Sequence, residues 1–283
     1  MILLTGATGK IGAETAKQLV GKGAPVRALV RDAAKAAPLE AAGVELAVGN
    51  IADAAAVRQA LTGVRQAFLL LPNGEQQEAS EKQFTDLCRA AGVGHLVKMS
   101  SMEAVPTAQT PIPRAHWAVE EYIRASGLAW TMVKPNFFMQ NLLASAKSIR
   151  EQGLFSLPMG DGTTGMADAR DIGAVCAEVL TGQGHAGQSY EITGPEVLTF
   201  HQVAERFTSV LGRPIRYVPM PMAQFRERMT GVLKPWHLNA VCELFQEIAD
   251  IGLDHTTGTF RRLMGRDPIS LDRFIRDHAA AFG

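Results

Sequence analysis

The first twelve residues, Met1-Ile2-Leu3-Leu4-Thr5-Gly6-Ala7-Thr8-Gly9-Lys10-Ile11-Gly12, constrain this chain more than any other stretch. The apolar run up to Leu4 predicts a buried parallel strand, and Ile11, Ala16, Leu19 and Val20 then recur at helical spacing. Between strand and helix lies a Gly-x-x-Gly-x-x-Gly turn. Gly6 lets the chain leave the strand sharply, Gly9 lets backbone approach a pyrophosphate with no side chain in the way, and Gly12 lets the helix pack close to the sheet. The helix N-terminus supplies N–H groups and a partial positive charge. Ala7, Thr8, Lys10 and Ile11 complete this cradle. A Walker loop is excluded, because it needs glycine at Leu4 and a hydroxyl at Ile11. Strand, turn and helix in this order predict a dinucleotide site.

What ends the second strand selects among dinucleotides. Pro25 to Val30 is that strand, and Arg31 follows it, with Asp32 next and Lys35 near. An acid at this point takes ribose hydroxyls, whereas an arginine accommodates a 2′-phosphate. Arg31 therefore favours NADP(H), with NAD(H) left open; the alternative is an ordinary solvated loop arginine. Val44 to Val48 reads as a third strand, after which Gly49-Asn50-Ile51-Ala52-Asp53 turns into a helix with Asp53 as N-cap. Asn50 either meets the adenine edge or serves as a turn amide.

The alternation continues with strand Ala67 to Leu71, stopped by Pro72-Asn73-Gly74, then a helix from Glu75 to Ala91. Strand His95 to Met99 leads to Ser100-Ser101, a helix spans Pro111 to Ser126, and strand Ala129 to Val133 follows. Strands alternating with helices over short connections predict a doubly wound α/β Rossmann-like parallel sheet, with ligands at the carboxyl ends of the strands. Leu70, Leu71, Pro72, Ser100 and Pro135 fall at those ends. Beyond Gly153 the pattern loosens: a helix from Asp168 to Leu180, a late strand from Gln188 to Thr193, a helix from Phe200 to Leu211 and a short strand from Ile215 to Val218. From Met222 onward the chain reads as mostly helical, with Ser270 capping the last helix. The expected division is a nucleotide-binding core over 1–152 and a smaller substrate cap over 153–283 whose late strands return to the core, with the substrate pocket between them.

Composition narrows the class. The 28 basic residues balance the 28 acidic ones and form no stripe, which argues against nucleic acid as a partner. Cys88, Cys176 and Cys242 lie far apart and form no ligand pair, so they read as buried small residues in a reducing compartment, with no metal site. No apolar run approaches the roughly 20 residues of a membrane span. A strand that begins at Ile2 leaves no room for a signal peptide. A cytoplasmic protein, monomer or homodimer, is the expectation.

With those stretches placed, the chain resembles the NmrA-like branch of the atypical short-chain dehydrogenase/reductases, and within it the quinone oxidoreductase type 2 and triphenylmethane reductase groups. The likeness rests on the glycine turn, Leu29-Val30-Arg31-Asp32, Gly49-Asn50-Ile51-Ala52-Asp53, Ser100-Ser101 and His116-x-x-x-Glu120. Pro135-Asn136-Phe137-Phe138-Met139-Gln140-Asn141, Ala167-Asp168-Ala169-Arg170-Asp171-Ile172 and Tyr190-Glu191-Ile192-Thr193-Gly194 extend it nearly end to end. The resemblance implies hydride transfer from NAD(P)H to a small flat acceptor such as a quinone or aromatic dye. Two other readings stay open: an NADP-sensing regulator without turnover, and a carbonyl or imine reductase.

One departure limits what carries over. The wider superfamily uses Tyr-x-x-x-Lys, in which the lysine lowers the tyrosine pKa. Here Tyr122, Tyr190 and Tyr217 are followed four residues on by Ser126, Gly194 and Pro221. At the corresponding helix stand His116 and Glu120, one turn apart. His116 is a proton donor or a hydrogen-bonding wall for the acceptor, unless it merely pairs with Glu120 on the surface. Phe137 is assigned to the cofactor, and Phe138 and Met139 to the acceptor; the alternative for all three is plain core after a strand.

Overall fold

The computed structural model describes all 283 residues, Met1–Gly283. The chain begins β1 (Ile2–Leu4), α1 (Lys10–Gly21), β2 (Val26–Val30), α2 (Ala33–Ala41), β3 (Glu45–Val48), α3 (Ala54–Ala60) and β4 (Gln66–Leu69). Then come α4 (Gln77–Ala90), β5 (His95–Met99), α5 (Pro111–Ala125) and β6 (Trp130–Pro135). After a 3₁₀ segment, Met139–Ser145, follow α6 (Ala146–Gln152), β7 (Leu154–Phe155), β8 (Thr163–Thr164), α7 (Ala169–Thr181), β9 (Gln188–Ile192), β10 (Leu198–Thr199) and α8 (Phe200–Leu211). The rest is β11 (Arg216–Tyr217), α9 (Met222–Met229), α10 (Pro235–Ile251), α11 (Thr259–Met264), α12 (Leu271–Asp277) and α13 (Ala279–Phe282).

The main sheet has the order β3-β2-β1-β4-β5-β6-β9. Pairings from β3 to β6 are all parallel. At the far edge Gly187 N donates to Trp130 O and Asn136 N to Ile192 O, start with start and end with end, so β9 also runs parallel to β6. The chain winds outward from β1 through β2 to β3, then returns to β4 and winds the other way. This is the expected doubly wound Rossmann-like sheet, and the direction reverses between β1 and β4.

Contacts divide the chain into two units. The first comprises 1–108, 113–134 and 169–191; the second comprises 109–112, 135–168 and 192–283. In the first, Leu3, Leu29, Ala67, Leu69, Leu96 and Met132 of the strands bury against Val57, Phe84, Cys88, Val119 and Ile123 of the helices. In the second, Phe155, Phe200, Phe207, Phe274 and Phe282 build a separate core. There β7 pairs parallel with β11, and β8 pairs antiparallel with β10. All three cysteines are buried, as expected, and their thiols are free. No helix is long and apolar enough to cross a membrane.

Several local expectations change. A helix not anticipated, α2, starts right after Asp32, whose carboxylate accepts the Ala34 and Lys35 amides at 3.0 and 3.2 Å. Its alanine-rich face and internal Pro38 carry little helical signal. The segment after Phe138 begins as a 3₁₀ helix, and only its last part is α. Ser270 caps α12 by accepting the Arg273 amide, and the four-residue α13 follows, so it does not cap the last helix. The short strands β7, β8 and β10, two residues each, were below what periodicity reveals.

Candidate active site

The reversal point between β1 and β4 is stitched by one side chain. Thr5 donates its backbone N–H to Phe68 O, its hydroxyl lies 3.1 Å from both Phe68 O and Leu70 O, and that hydroxyl accepts the Leu70 amide at 2.8 Å. This clamp fixes the end of β4 against the start of the glycine turn. Gly6 then adopts φ +65°, and a Cβ there would lie 2.5 Å from Leu70 O, so both conformation and space demand glycine. Gly12 behaves differently from expectation. A Cβ on it would fall 2.1 Å from Gly6 O and 2.8 Å from Ala7 Cα, so the first contact it permits is with the turn itself.

Gly9 is the N-cap of α1 in extended backbone, φ −86° and ψ 172°, with no side chain capping the helix and no acid in its first turn. A Cβ on Gly9 meets only Gly6 O, at 3.3 Å. Thr8 and Gly9 are exposed, and Ala7 and Ile11 are buried beneath them. The first amides of α1 precede any carbonyl that could accept them, and they sit at the positive end of a twelve-residue helix. A glycine with open space on every side but that of Gly6 O, set before an uncapped helix N-terminus, fits a pyrophosphate. Arg31 is exposed at the end of β2 and makes no ion pair within the chain, while the Asp32 carboxylate is occupied as the N-cap of α2. The residues present therefore fit a nucleotide with a phosphate on its ribose better than one with free hydroxyls there. Asn50 is exposed at the end of β3 and turns its Oδ1 onto the Ala52 amide. Leu70 and Leu71 are half-buried and Pro72 is exposed.

The next two strand ends carry a polar network that sequence reasoning largely missed. His116, on α5, is buried at 6 % exposure, and both of its hydrogen-bond contacts fall on Nδ1: Lys98 Nζ at 3.1 Å and Gln77 Nε2 at 3.4 Å. Lys98 is fully buried, with Glu81 Oε2 at 2.7 Å and Met99 O at 2.7 Å. Glu120, also fully buried, turns elsewhere. It accepts from Ser100 Oγ at 2.5 Å and Arg124 Nη2 at 2.6 Å, and Lys134 Nζ stands 3.4 Å away. Lys134 itself donates to Ala104 O at 2.6 Å. His116 and Glu120 are thus not a surface pair: each is buried and has its own partners.

Burial, then the charges of Lys98 and Lys134, hold His116 well below the usual imidazole range. Burial also pushes Glu81 up, against the opposing pull of Lys98. Of the three tyrosines, none has a hydroxyl free for proton transfer. Tyr122 donates to Asp86, Tyr190 pairs with His185, and Tyr217 donates to Leu157 O with its hydroxyl pushed up to about 12 by burial. The missing Tyr-x-x-x-Lys motif has no spatial substitute among them.

The signals for Gln77, Glu81, Lys98 and Lys134 were present in the sequence. Lys98 stands between Val97 and Met99 in an apolar strand, and Lys134 likewise follows Val133. Gln77 and Glu81 share the buried face of α4 with Phe84, Thr85 and Cys88. A charge at a position whose neighbours are all buried demands a partner.

The second unit holds the remaining expected residues. Pro135 ends β6 and is buried. Phe137 packs edge-on against Phe200 and tilted against Phe245, and Met139, at 2 % exposure, lies within that unit's core. Phe138 is half-buried and bridges to Ala167. For Phe137 and Met139 these contacts carry the core alternative.

Comparison with known proteins agrees with this geometry. The model of the NmrA-like family matches residues 1–275. The NAD(P)H azoreductase of Xenophilus azovorans is 39% identical over 284 residues, covering 100% of this chain and 99% of its own. The (4-alkanoyl-5-oxo-2,5-dihydrofuran-3-yl)methyl phosphate reductase of Streptomyces griseus is 35% identical over 290 residues, covering 100% and 99%. Among solved structures, the NADPH-dependent quinone oxidoreductase QOR2 of Escherichia coli, in complex with NADPH, superposes with a TM-score of 0.88 at 28% identity, over 98% of this chain and 99% of that one. The chain belongs to the NmrA-like family.

Proposed function

We propose that this chain is an NAD(P)H-dependent oxidoreductase that delivers hydride to a small, flat, conjugated acceptor such as a quinone or an azo or triphenylmethane dye. The observation that carries the reading is the cradle: exposed Gly9, whose added Cβ would meet only Gly6 O, lies before the uncapped N-terminus of α1 at the sheet's reversal point. The azoreductase and quinone-reductase relatives support it. The backbone of Gly6 to Ile11 holds the pyrophosphate, Arg31 meets the 2′-phosphate and makes NADP(H) the preferred cofactor, and Asn50 lies toward the adenine. Leu70, Leu71, Pro72 and Ser100 line the nucleotide's path, with Pro135 assigned to the same cofactor. When bound, the nicotinamide supplies the hydride.

The protein's own contribution is orientation and a hydrogen bond. A quinone or dye spreads the charge it gains over its ring system, so a strong acid is dispensable. His116, buried and held neutral, walls the acceptor and offers it a polar contact without surrendering a proton readily. Phe138, half-buried, completes the acceptor assignment. The Streptomyces relative favours a second acceptor class, a conjugated carbonyl compound, for which the same neutral donor suffices.

The test is turnover. Purified protein is incubated with NADPH or NADH and a panel of quinones, azo and triphenylmethane dyes, conjugated lactones and aldehydes, and loss of reduced nucleotide is followed. Catalytic oxidation of NADPH with at least one flat acceptor is expected. Tight nucleotide binding with no turnover across the panel would overturn the reading in favour of a nucleotide-gated protein contact.

A further inference from the structure

An imidazole offers either nitrogen as donor, and the neighbours of each decide which. The Lys98 ammonium has three N–H groups and three acceptors around it: Glu81 Oε2 at 2.7 Å, Met99 O at 2.7 Å and His116 Nδ1 at 3.1 Å. An ammonium has no lone pair, so toward each of them it can only donate. The Gln77 amide nitrogen, 3.4 Å from the same Nδ1, also donates. Its orientation is fixed from the other side, where it donates to Glu81 Oε1 at 3.3 Å; reversed, the amide oxygen would face the carboxylate. Two donors converge on Nδ1, which leaves no place there for a proton. Nε2 makes no hydrogen bond within the chain.

We infer that Lys98, held in place by Glu81, is a positioning residue that locks His116 as the neutral tautomer with its proton on Nε2. The acceptor then meets one fixed N–H donor. The inference rests on the reading above that His116 faces the acceptor, but the lock itself is a property of this unit alone. The charges around the ring favour its neutral form. Lys98 of β5 and Lys134 of β6 present positive charge, Glu81 of α4 is spent on Lys98, and Glu120 of α5 is shared by Ser100, Arg124 and Lys134. Burial adds to their effect and keeps the ring from ionising. Such a donor suits an oxygen or nitrogen that gains partial negative charge, as in a quinone, an azo group or a conjugated carbonyl.

The lock is read directly by nuclear magnetic resonance. The full chain is labelled with [¹⁵N]histidine, and two-bond proton–nitrogen correlations give the protonation of each ring nitrogen; His116→Gln identifies the signals of His116. The expected spectrum shows an unprotonated, acceptor-type Nδ1 and a protonated Nε2, unchanged from about pH 5.5 to 8, where a free histidine titrates. A proton on Nδ1, or titration near the ordinary value of about 6.5, would overturn the inference. The double variant Lys98→Met/Glu81→Gln removes both charges together, so none is stranded. Its His116 signals should move toward the average of the two tautomers, with KM for the acceptor raised and NADPH affinity kept. An unchanged spectrum in that variant would show that Lys98 is not the lock. If the variant does not fold, the wild-type tautomer decides alone. Absence of turnover with this spectrum intact would sink the proposed function and leave the lock standing.

Discussion

Replacing Gly9 and Gly12 by alanine, one at a time, should separate holding the cofactor from holding the fold. At Gly12 the new methyl would sit 2.1 Å from Gly6 O, 2.7 Å from Gly6 C and 2.8 Å from Ala7 Cα, more than 1 Å inside ordinary contact in the first case. All three obstacles are backbone, so no rotamer change relieves them. Overpacking of this kind costs about 1–3 kcal/mol, and a backbone obstacle places it near about 3. Alanine's helix preference returns about 1 kcal/mol, leaving a net loss of about 2. For a chain of this size that is a fall in Tm of about 4–8 °C. At Gly9 the methyl meets only Gly6 O, at 3.3 Å, in a backbone conformation open to any residue. Loss of a glycine N-cap costs a few tenths of a kcal/mol, so Tm should move by about 2 °C at most. In the proposed cradle the Gly9 methyl stands where the pyrophosphate approaches, and Kd for NADPH should rise about tenfold or more, or about 1.4 kcal/mol. Calorimetric melting and nucleotide titration give the two numbers for each variant. If Gly9→Ala binds NADPH like wild type, or Gly12→Ala melts like wild type, the division of labour in the cradle is wrong.

Arg31→Ala should weaken NADPH by about ten- to more than a hundredfold, from a charge-assisted contact worth roughly 1.5–3 kcal/mol, while NADH binding changes little; parallel titrations check it. Because the folded pKa of His116 lies below its unfolded value, the unfolded chain binds the extra proton. Stability is therefore full above about pH 6.5 and falls below it by up to about 1.4 kcal/mol per pH unit. Glu81, raised in the folded state, works in the opposite sense, so the quantity to measure is the difference between wild type and His116→Gln in denaturant midpoints from pH 7.5 to 5. The gap should narrow toward acid. His116→Ala should raise KM for a quinone and leave kcat within about tenfold, and a thousandfold loss of kcat with NADPH binding intact would make His116 a general acid.

The sheet and the cradle were legible because their determinants are local. Leu3 and Leu4 run straight into the glycine turn, the apolar run through Ala67, Phe68 and Leu69 is stopped by Pro72, and strand His95–Met99 and helix Phe200–Leu211 have the bounds their residues predict. Helix α2 was not legible, since its first five residues are all alanine or lysine around a single buried position, Ala36, and Pro38 interrupts it. The network around His116 escaped for another reason. Its partners Gln77 and Lys98 lie 39 and 18 residues away, and only packing α4 and α5 against β5 joins them. The helical spacing of His116 and Glu120 predicted proximity to each other, but burial of both sent each to a different lysine. Likewise Phe137 and Met139 are equally apolar as core or as ligand wall; only the packing of Phe137 on Phe200 and Phe245 and the burial of Met139 weigh toward core.

A fully buried Lys98–Glu81 pair is an expensive way to fill the space between a strand and a helix. Desolvating both charges costs several kcal/mol each, and apolar residues of similar volume often stabilise a fold as much or more. Stability alone therefore gives no reason for two lysines, Lys98 and Lys134, on adjacent strands beside one histidine. Electrostatics does give one. A nearby positive charge lowers the pKa of a tyrosine, which prepares it to exchange a proton; the same charge lowers the pKa of an imidazole, which deprives it of one. With no tyrosine at this position, the lysines turn a residue that would titrate near neutral pH into a constant donor. With His116 facing the acceptor as proposed, a site built this way cannot force a proton onto its substrate as the hydride arrives. It selects acceptors whose own conjugation carries the charge until solvent protonates them, and this is what a quinone, an azo dye and a conjugated lactone have in common.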